Sequence, residues 1–282
     1  MNGKKKRLLG DVIFYVFVIG LGILMVYPIL WMLSSSLKPA TEIFNNAVSL
    51  WPSEFVWENY QSGWAGFGGI GFATYFRNSL IVTSTVVIGT MITGSLVAYG
   101  FARIDFKMKN VLFACLMATI MLPVQITLIP QYIIFNELDL VNTFVPLMLP
   151  GLMGGQPFFI FLMIQFIRGI PRELDEAAIV DGCSKFGIYW RIILPLLKPA
   201  LVTVALFCFM WTWDDFLAPL IYLNDASIHT VTIALRNFMD VSGGTSWGPL
   251  LAMSSLSLLP QLLIFVFFQK YLVQGIATTG LK

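Results

Sequence analysis

Charged side chains are scarce in this chain. Only 11% of its 282 residues are Asp, Glu, Lys or Arg, whereas 57% are hydrophobic. Soluble domains carry about 25% charged residues, so this chain lacks the polar surface that a water-soluble domain needs. The composition therefore excludes an ordinary soluble protein and predicts an integral membrane protein.

Side chains that bind metals or form cross-links are also rare. The chain has one histidine, His229, and three cysteines, Cys115, Cys183 and Cys208, which form no CxxC pair. This disfavours a disulfide framework and a metal site built from thiolates or imidazoles. The phosphate-binding pattern GxxxxGK[ST] is absent, so the chain lacks that route to ATP hydrolysis. We therefore expect no bound cofactor and no enzymatic activity, and we expect no nucleic-acid partner.

Long apolar runs are what the chain has in quantity. Each run has about the 20 residues that a membrane-spanning helix needs. The runs are residues 11–32, 76–100, 110–130, 144–167, 200–222 and 250–269. They predict an all-α polytopic membrane protein with six transmembrane helices in a domain spanning 11–269, flanked by an N-terminus of residues 1–10 and a tail of residues 270–282. The first run exceeds the apolar core of a signal peptide, so cleavage is disfavoured.

The distribution of basic residues predicts how these spans are oriented. Lys and Arg accumulate in the alternate segments 1–10, 101–109, 168–199 and 270–282. Only three lie on the other side of the predicted membrane: Lys38, Arg77 and Arg236. Because cytoplasmic loops carry the excess of Lys and Arg, both termini and the stretch 168–199 are predicted to be cytoplasmic.

The polar stretch 168–199 separates the fourth and fifth predicted spans, and its residues indicate a helix, a tight turn and a second helix. Pro171 suits the first helical position, and Gly182 suits the left-handed position that ends a helix. Ser184 is a candidate N-cap for the second helix, and Pro195 is expected to end it.

The second of these short helices is bulky and apolar. Its large side chains are Phe186, Tyr189, Trp190 and Ile193. Such a face in a polar loop must be covered, either by the lipid surface or the chain's own helices, or by another protein.

The sequence of the stretch favours covering by another protein. Glu176-Ala177-Ala178, Asp181-Gly182 and Ile192-x-Leu194-Pro195 resemble the EAA loop of ABC importer permeases. In that family the loop docks into a cleft on a cytoplasmic ATPase subunit and transmits its ATP-driven closure. The resemblance implies this coupling role for the matching residues and for the short helix around Phe186: Glu176, Ala177, Ala178, Asp181, Gly182, Phe186 and Pro195.

The resemblance extends over almost the whole chain. Ser36-Leu37-Lys38-Pro39 and Asn78-Ser79-Leu80 are similar to segments of the carbohydrate-uptake, maltose-permease-like group of that family. This implies a second permease chain in a heterodimer, two ATPase subunits that bind ATP and Mg, and an extracytoplasmic solute-binding protein that delivers a sugar or oligosaccharide. It implies transport by alternating access in a prokaryotic cell membrane. Glycerol-phosphate carriers share the scaffold, so the exact solute stays open.

Two carboxylates lie within the predicted fifth span, and they are the candidates for contact with a substrate. Asp214 and Asp215 are flanked by Trp211 and Trp213. A charge at the centre of a bilayer costs about 2.5–3.5 kcal/mol on insertion scales, so such residues usually face a cavity or a partner. Aromatic faces beside carboxylates suit sugar rings, whereas bonding to a neighbouring helix is the structural alternative. The pattern of the family here is W-N-[DE]-F, and Asp214 replaces the amide.

An alternative function uses the same two carboxylates. In an ion-gradient-driven secondary transporter, Asp214 and Asp215 would bind protons or cations. Such transporters commonly contain repeated halves, and no internal repeat is recognisable in this sequence.

Overall fold

The computed structural model describes residues 3–239 and 245–279, with side chains described over 10–239 and 245–270. Within these residues the structure is helical, and its only β-type pairing is an isolated bridge between Phe67 and Ile70. The α-helices are α1 (Gly3–Ser35), α2 (Ala40–Asn45), α3 (Glu58–Ala65), α4 (Phe72–Gly89), α5 (Ser95–Arg103), α6 (Lys109–Met121), α7 (Val124–Glu137), α8 (Val145–Leu152), α9 (Pro157–Arg168), α10 (Glu173–Val180), α11 (Lys185–Ile188), α12 (Leu194–Leu196), α13 (Lys198–Trp213), α14 (Leu217–Tyr222), α15 (Val231–Asn237) and α16 (Trp247–Thr279). Two π turns, Thr90–Gly94 and Tyr189–Ile193, and a 3-10 turn, Ala226–Ile228, complete the described elements.

The predicted all-α class is confirmed. Within the described residues, four helical segments are long and apolar enough to cross a membrane: Gly10–Ser35, Phe72–Arg103, Val145–Arg168 and Trp247–Lys270. Two bent pairs raise the number to six if each pair counts as one span: Lys109–Met121 with Val124–Glu137, and Lys185–Leu196 with Lys198–Trp213. The predicted six spans correspond to this larger number.

The third predicted span, 110–130, is not one straight helix. Helices α6 and α7 meet at an angle of 105°, and Pro123, which has no N–H to continue α6, lies at the break. Pro130 lies inside α7, which continues to Glu137. The apolar run of residues 110–130 indicated one span, whereas the chain turns sharply at Pro123.

The fifth predicted span, 200–222, is interrupted as well. Helix α13 ends at Trp213 and α14 begins at Leu217. Asp214 and Asp215 therefore lie in a break between two helices, and not inside a continuous span as expected. This position matters because backbone groups at a break need polar partners.

The chain divides into two compact units, residues 1–71 with 235–258 and residues 72–234 with 259–282. In the first unit, the indole N–H of Trp31 donates to the carbonyl oxygen of Ala47 at 2.8 Å. Lys38 is fully buried there, and its Nζ donates to the carbonyl oxygens of Asn46 at 3.2 Å and Ser49 at 2.5 Å. These bonds give the buried ammonium group polar partners.

The second unit is held together by close helix packing, in which α5 lies on α9 and α4 lies on α8 and α13. Small residues allow this approach. A Cβ added at Gly89 would lie 3.0 Å from Cα of Leu152, and one at Gly94 would lie 3.0 Å from the carbonyl oxygen of Gly154. In apolar surroundings such close backbone contact is what small residues provide.

Candidate functional site

The polar stretch 168–199 folds as a short helix, a tight turn and a second short helix, which agrees with the sequence pattern. Helix α10 ends in a Schellman arrangement: the N–H of Gly182 donates to Ile179 O at 3.0 Å and that of Cys183 donates to Ala178 O at 2.9 Å. Gly182 has φ +76°. Ser184 then caps α11, because its hydroxyl oxygen accepts from the N–H of Gly187 at 3.1 Å.

Two details of the predicted helices differ from the structure, and both involve prolines. Helix α10 begins at Glu173, so Pro171 lies before the helix and not at its first position. The second helix does not end at Pro195 but continues through it to Leu196. The π turn Tyr189–Ile193 ends two residues before this proline. It includes Arg191, the residue whose carbonyl the ring of Pro195 would meet in a regular α-helix.

The bulky residues of the second helix do not form one face. Tyr189 and Ile193 are buried in the core of the second unit, with exposures of 2% and 0%. Phe186 and Trp190 remain 62% and 51% exposed. The chain's own helices therefore cover half of the aromatic surface and leave the other half uncovered within this chain.

The residues that match the EAA pattern also divide by exposure. Ala178 is buried, so its small side chain serves contact within the chain. The other matching residues are exposed: Glu176, Ala177, Asp181, Gly182, Phe186 and Pro195. Apolar side chains that the sequence analysis did not single out are exposed beside them, with Ile179 at 59% and Val180 at 87%. The exposed part of the loop thus combines carboxylates with a large apolar surface.

Helix α5 anchors the loop on its buried side. The hydroxyl groups of Ser95 and Tyr189 share a hydrogen bond of 2.8 Å. The hydroxyl of Tyr99 donates to the carbonyl oxygen of Lys185 at 2.8 Å, and the rings of Tyr99 and Tyr189 lie 5.3 Å apart. Sequence analysis missed these contacts because they join residues far apart along the chain.

An ion pair joins the end of α5 to α10. Nε of Arg103 lies 3.1 Å from Oδ2 of Asp175, and the exposed fractions of these two side chains are 4% and 15%. A second guanidinium nitrogen of Arg103 donates to the carbonyl oxygen of Ile170 at 2.5 Å. In the sequence, Arg103 appeared only as one of the basic residues that determine sidedness.

The candidate substrate residues do not form one exposed cluster. Trp213 is 3% exposed and stacks on Phe209 with centroids 5.5 Å apart. Trp211 is 44% exposed and packs on Phe159 at 5.0 Å. Residues two apart on an α-helix point in widely different directions. The two indoles therefore do not face the same sugar ring.

The two carboxylates differ from each other as well. Oδ1 of Asp215 accepts from the N–H groups of Leu217 at 3.1 Å and Ala218 at 3.3 Å, so this side chain caps α14. The side chain of Asp214 is exposed. Bonding to a neighbouring helix, the structural alternative to substrate contact, therefore accounts for Asp215. A substrate role of Trp211, Trp213, Asp214 and Asp215 stays a prediction. No group of His, Cys, Asp or Glu within the described residues has the arrangement of a metal site.

Comparison with known proteins identifies the family. Residues 90–278 match the family described as "Binding-protein-dependent transport system inner membrane component". This chain belongs to that family. The permease is 36% identical to the probable ABC transporter permease protein YurM of Bacillus subtilis, over 99% of this chain and 91% of YurM. It is 30% identical to the arabinooligosaccharides transport system permease protein AraQ of Halalkalibacterium halodurans, over 98% and 99% of the two chains.

A solved structure has the same fold. One chain of a bacterial ABC transporter involved in the import of the acidic polysaccharide alginate superimposes on the permease with a TM-score of 0.83 at 20% identity, covering 96% of this chain and 99% of that one. The bacterial alginate ABC transporter in complex with an alginate pentasaccharide-bound periplasmic protein matches with a TM-score of 0.65 at 14% identity, over 94% and 93%. The chain is thus a non-enzymatic transport subunit, as expected from its sequence.

Proposed function

We propose that this permease moves a sugar or oligosaccharide inward by alternating access, and that a separate ATPase drives it through the 168–199 loop. The relatives support a carbohydrate, because AraQ is named for arabinooligosaccharides and the structural neighbour imports alginate. The absence of a phosphate-binding loop from the sequence supports the assignment of ATP and Mg to a partner.

One observation carries the coupling role of the loop. The loop is fixed to the chain on one side through Tyr189 and Asp175, and it exposes Phe186, Trp190 and Val180 on the other. Exposed aromatic residues of this kind are typical of the anchors of a protein interface. A loop built in this way can bind a partner and still transmit its movement to the membrane helices.

The proposed assembly contains a second permease chain, two ATPase subunits and an extracytoplasmic solute-binding protein. It lies in a prokaryotic cell membrane with the 168–199 loop and both chain termini in the cytoplasm. The family description supports the binding protein and the inner-membrane location. The asymmetry of basic residues supports the orientation.

Purification from the native membrane tests this proposal. The tagged permease is extracted in mild detergent, co-purifying proteins are identified, and the complex is reconstituted in lipid vesicles. We expect an ATPase subunit, a second permease chain, and ATP hydrolysis that a binding protein raises in the presence of sugar. Arabino-oligosaccharides, alginate oligosaccharides and sn-glycerol 3-phosphate form the substrate panel. A chain that purifies alone, with uptake driven by an ion gradient, would contradict the proposal.

A pair of variants tests the loop separately. Phe186→Ala removes an exposed aromatic ring from the proposed ATPase contact, and Phe267→Ala removes one of similar exposure, 68%, from α16. We expect Phe186→Ala to weaken ATPase binding by at least roughly fivefold, the loss of about 1 kcal/mol that marks an energetic interface residue. Equal ATPase binding by the two variants would argue against this face of the loop.

A further inference from the structure

Helix α5 presents one polar stripe to the loop. Ser95, Tyr99 and Arg103 follow each other at intervals of four residues, which puts them on the same face of the helix. Ser95 and Tyr99 are 0% and 6% exposed, and the side chain of Arg103 is 4% exposed. A buried polar stripe in a helix this apolar requires partners, because an unpaired buried polar group is costly.

Each residue of the stripe contacts a different part of the 168–199 loop. Ser95 meets Tyr189 in the second π turn, Tyr99 meets Lys185 at the start of α11, and Arg103 meets Asp175 in α10. The three contacts therefore hold both short helices of the loop to one helix of the membrane-spanning part. Helix α5 is not linked to the loop by adjacent sequence, whereas α9 precedes the loop and α13 follows it.

The ion pair is the contact of the three that joins two charged side chains. Exposed ion pairs contribute little, because water and salt screen them. Arg103 and Asp175 are largely buried, so removing one charge leaves the other without its partner, which is strongly destabilising for their contact. Arg103 also bonds to Ile170, just before α10, and so fixes the entry to the loop.

We propose that Arg103 and Asp175 are positioning residues through which α5 transmits the movement of the loop into the membrane. Helix α5 does so in addition to α9 and α13, which are covalently linked to the loop. The inference rests on the proposed coupling role of the 168–199 loop. Two π turns adjoin the anchor: Thr90–Gly94 ends where the stripe begins, and Tyr189–Ile193 contains its partner Tyr189. Such turns often mark functional positions in helices.

The test measures how much sugar is moved for each ATP hydrolysed. The reconstituted complex with its binding protein is given labelled arabino-oligosaccharide, and uptake and phosphate release are measured together. Asp175→Asn removes the charge of the pair at nearly constant shape. The reversed pair, Arg103→Asp with Asp175→Arg, restores opposite charges across the same contact.

A matched control lies in the adjacent loop. Asp105 and Lys109 form an ion pair of the same length, 3.1 Å, but the side chain of Asp105 is 92% exposed. The hydrogen bond from Lys109 holds the pKa of Asp105 below its usual value, so this carboxyl is charged at neutral pH. Asp105→Asn removes a charge from an exposed ion pair that includes none of the stripe residues Ser95, Tyr99 and Arg103.

We expect Asp175→Asn to lower the sugar moved per ATP several-fold, while ATPase binding and basal hydrolysis persist. Asp105→Asn is expected to match wild type, and the reversed pair is expected to recover part of the loss. An unchanged ratio in Asp175→Asn would overturn the proposal.

Two further outcomes are distinguishable. If Asp175→Asn fails to assemble, Tyr99→Phe replaces it, because that change removes only the hydroxyl that bonds to Lys185. A wild-type ratio in Tyr99→Phe would then count against the anchor. Failure of the proposed function is recognised differently, because the wild-type complex itself would neither respond to the binding protein nor accumulate sugar.

Discussion

The hydroxyl oxygen of Ser79, in α4, accepts a hydrogen bond of 2.9 Å from the backbone N–H of Val231, the first residue of α15. The neighbouring Asn78 donates through Nδ2 to the carbonyl oxygens of Ser227 at 2.9 Å and His229 at 3.0 Å. Both side chains are buried, at 2% and 3% exposure. Two consecutive residues of α4 thus hold the segment that leads into α15.

We expect Asn78→Ala to lower the stability of the permease. The variant removes the donor of two hydrogen bonds, and each lost bond costs about 0.5–1.5 kcal/mol. The melting temperature of the purified complex measures the loss. Asn110→Ala, at an exposed position of α6, is the control and should melt as wild type does. Equal melting of both variants would mean that Asn78 does not hold the segment.

Gly155 approaches Thr90 more closely than any other residue type would allow. A Cβ added at Gly155 would lie 2.5 Å from Oγ1 of Thr90, and Gly155 has φ +73°. Gly155→Ala therefore combines a clash with left-handed strain, and overpacking alone costs about 1–3 kcal/mol. Gly100→Ala is the matched control, because nothing lies within 4 Å of its added Cβ. In α5 this change should be neutral or stabilising by up to about 1 kcal/mol. Thermal unfolding of the two variants compares them directly, and similar destabilisation in both would refute the close approach.

The all-α class followed from composition and from the lengths of the apolar runs, because a chain in lipid must satisfy its backbone within helices. The described residues hold four such spans, or six if each bent pair counts as one. The local structure of the 168–199 loop also followed, since Gly182 and Ser184 act through their own backbone neighbourhood. Features that depend on contacts between distant residues or on packing did not follow. The anchor of Arg103 on Asp175 joins distant residues, and one sequence carries no signal of such pairing. The continuation of the second helix through Pro195, after a π turn, did not follow either, because proline ordinarily ends a helix.

The adjacent carboxylates Asp214 and Asp215 are expected to respond differently to substitution. Asp215→Ala removes the acceptor for the N–H groups of Leu217 and Ala218. Loss of such a cap costs about 0.5–2 kcal/mol, so the melting temperature should fall. Asp214→Ala removes an exposed carboxylate, so we expect lower sugar uptake at unchanged melting temperature. Measuring uptake and melting for both variants separates the two roles. Wild-type uptake by Asp214→Ala would show that the Asp214 carboxylate has no role in the substrate path.

Gly182 links the local conformation of the loop to transport. Its φ of +76° is left-handed, and nothing lies within 4 Å of an added Cβ. A substitution there strains the backbone without creating a clash, so its cost, about 1–2 kcal/mol for an ordinary residue, falls on the turn alone. We expect Gly182→Leu to insert and assemble normally in the membrane but to lose sugar uptake, because the turn between α10 and α11 changes and moves Phe186. Gly182→Asn is the control, since Asn adopts the left-handed conformation more readily, and it should retain most of the uptake.

Uptake at the wild-type level in Gly182→Leu would contradict the coupling role of this turn. Equal loss of uptake in both variants would mean that the turn needs glycine for contact with the ATPase and not for its backbone conformation.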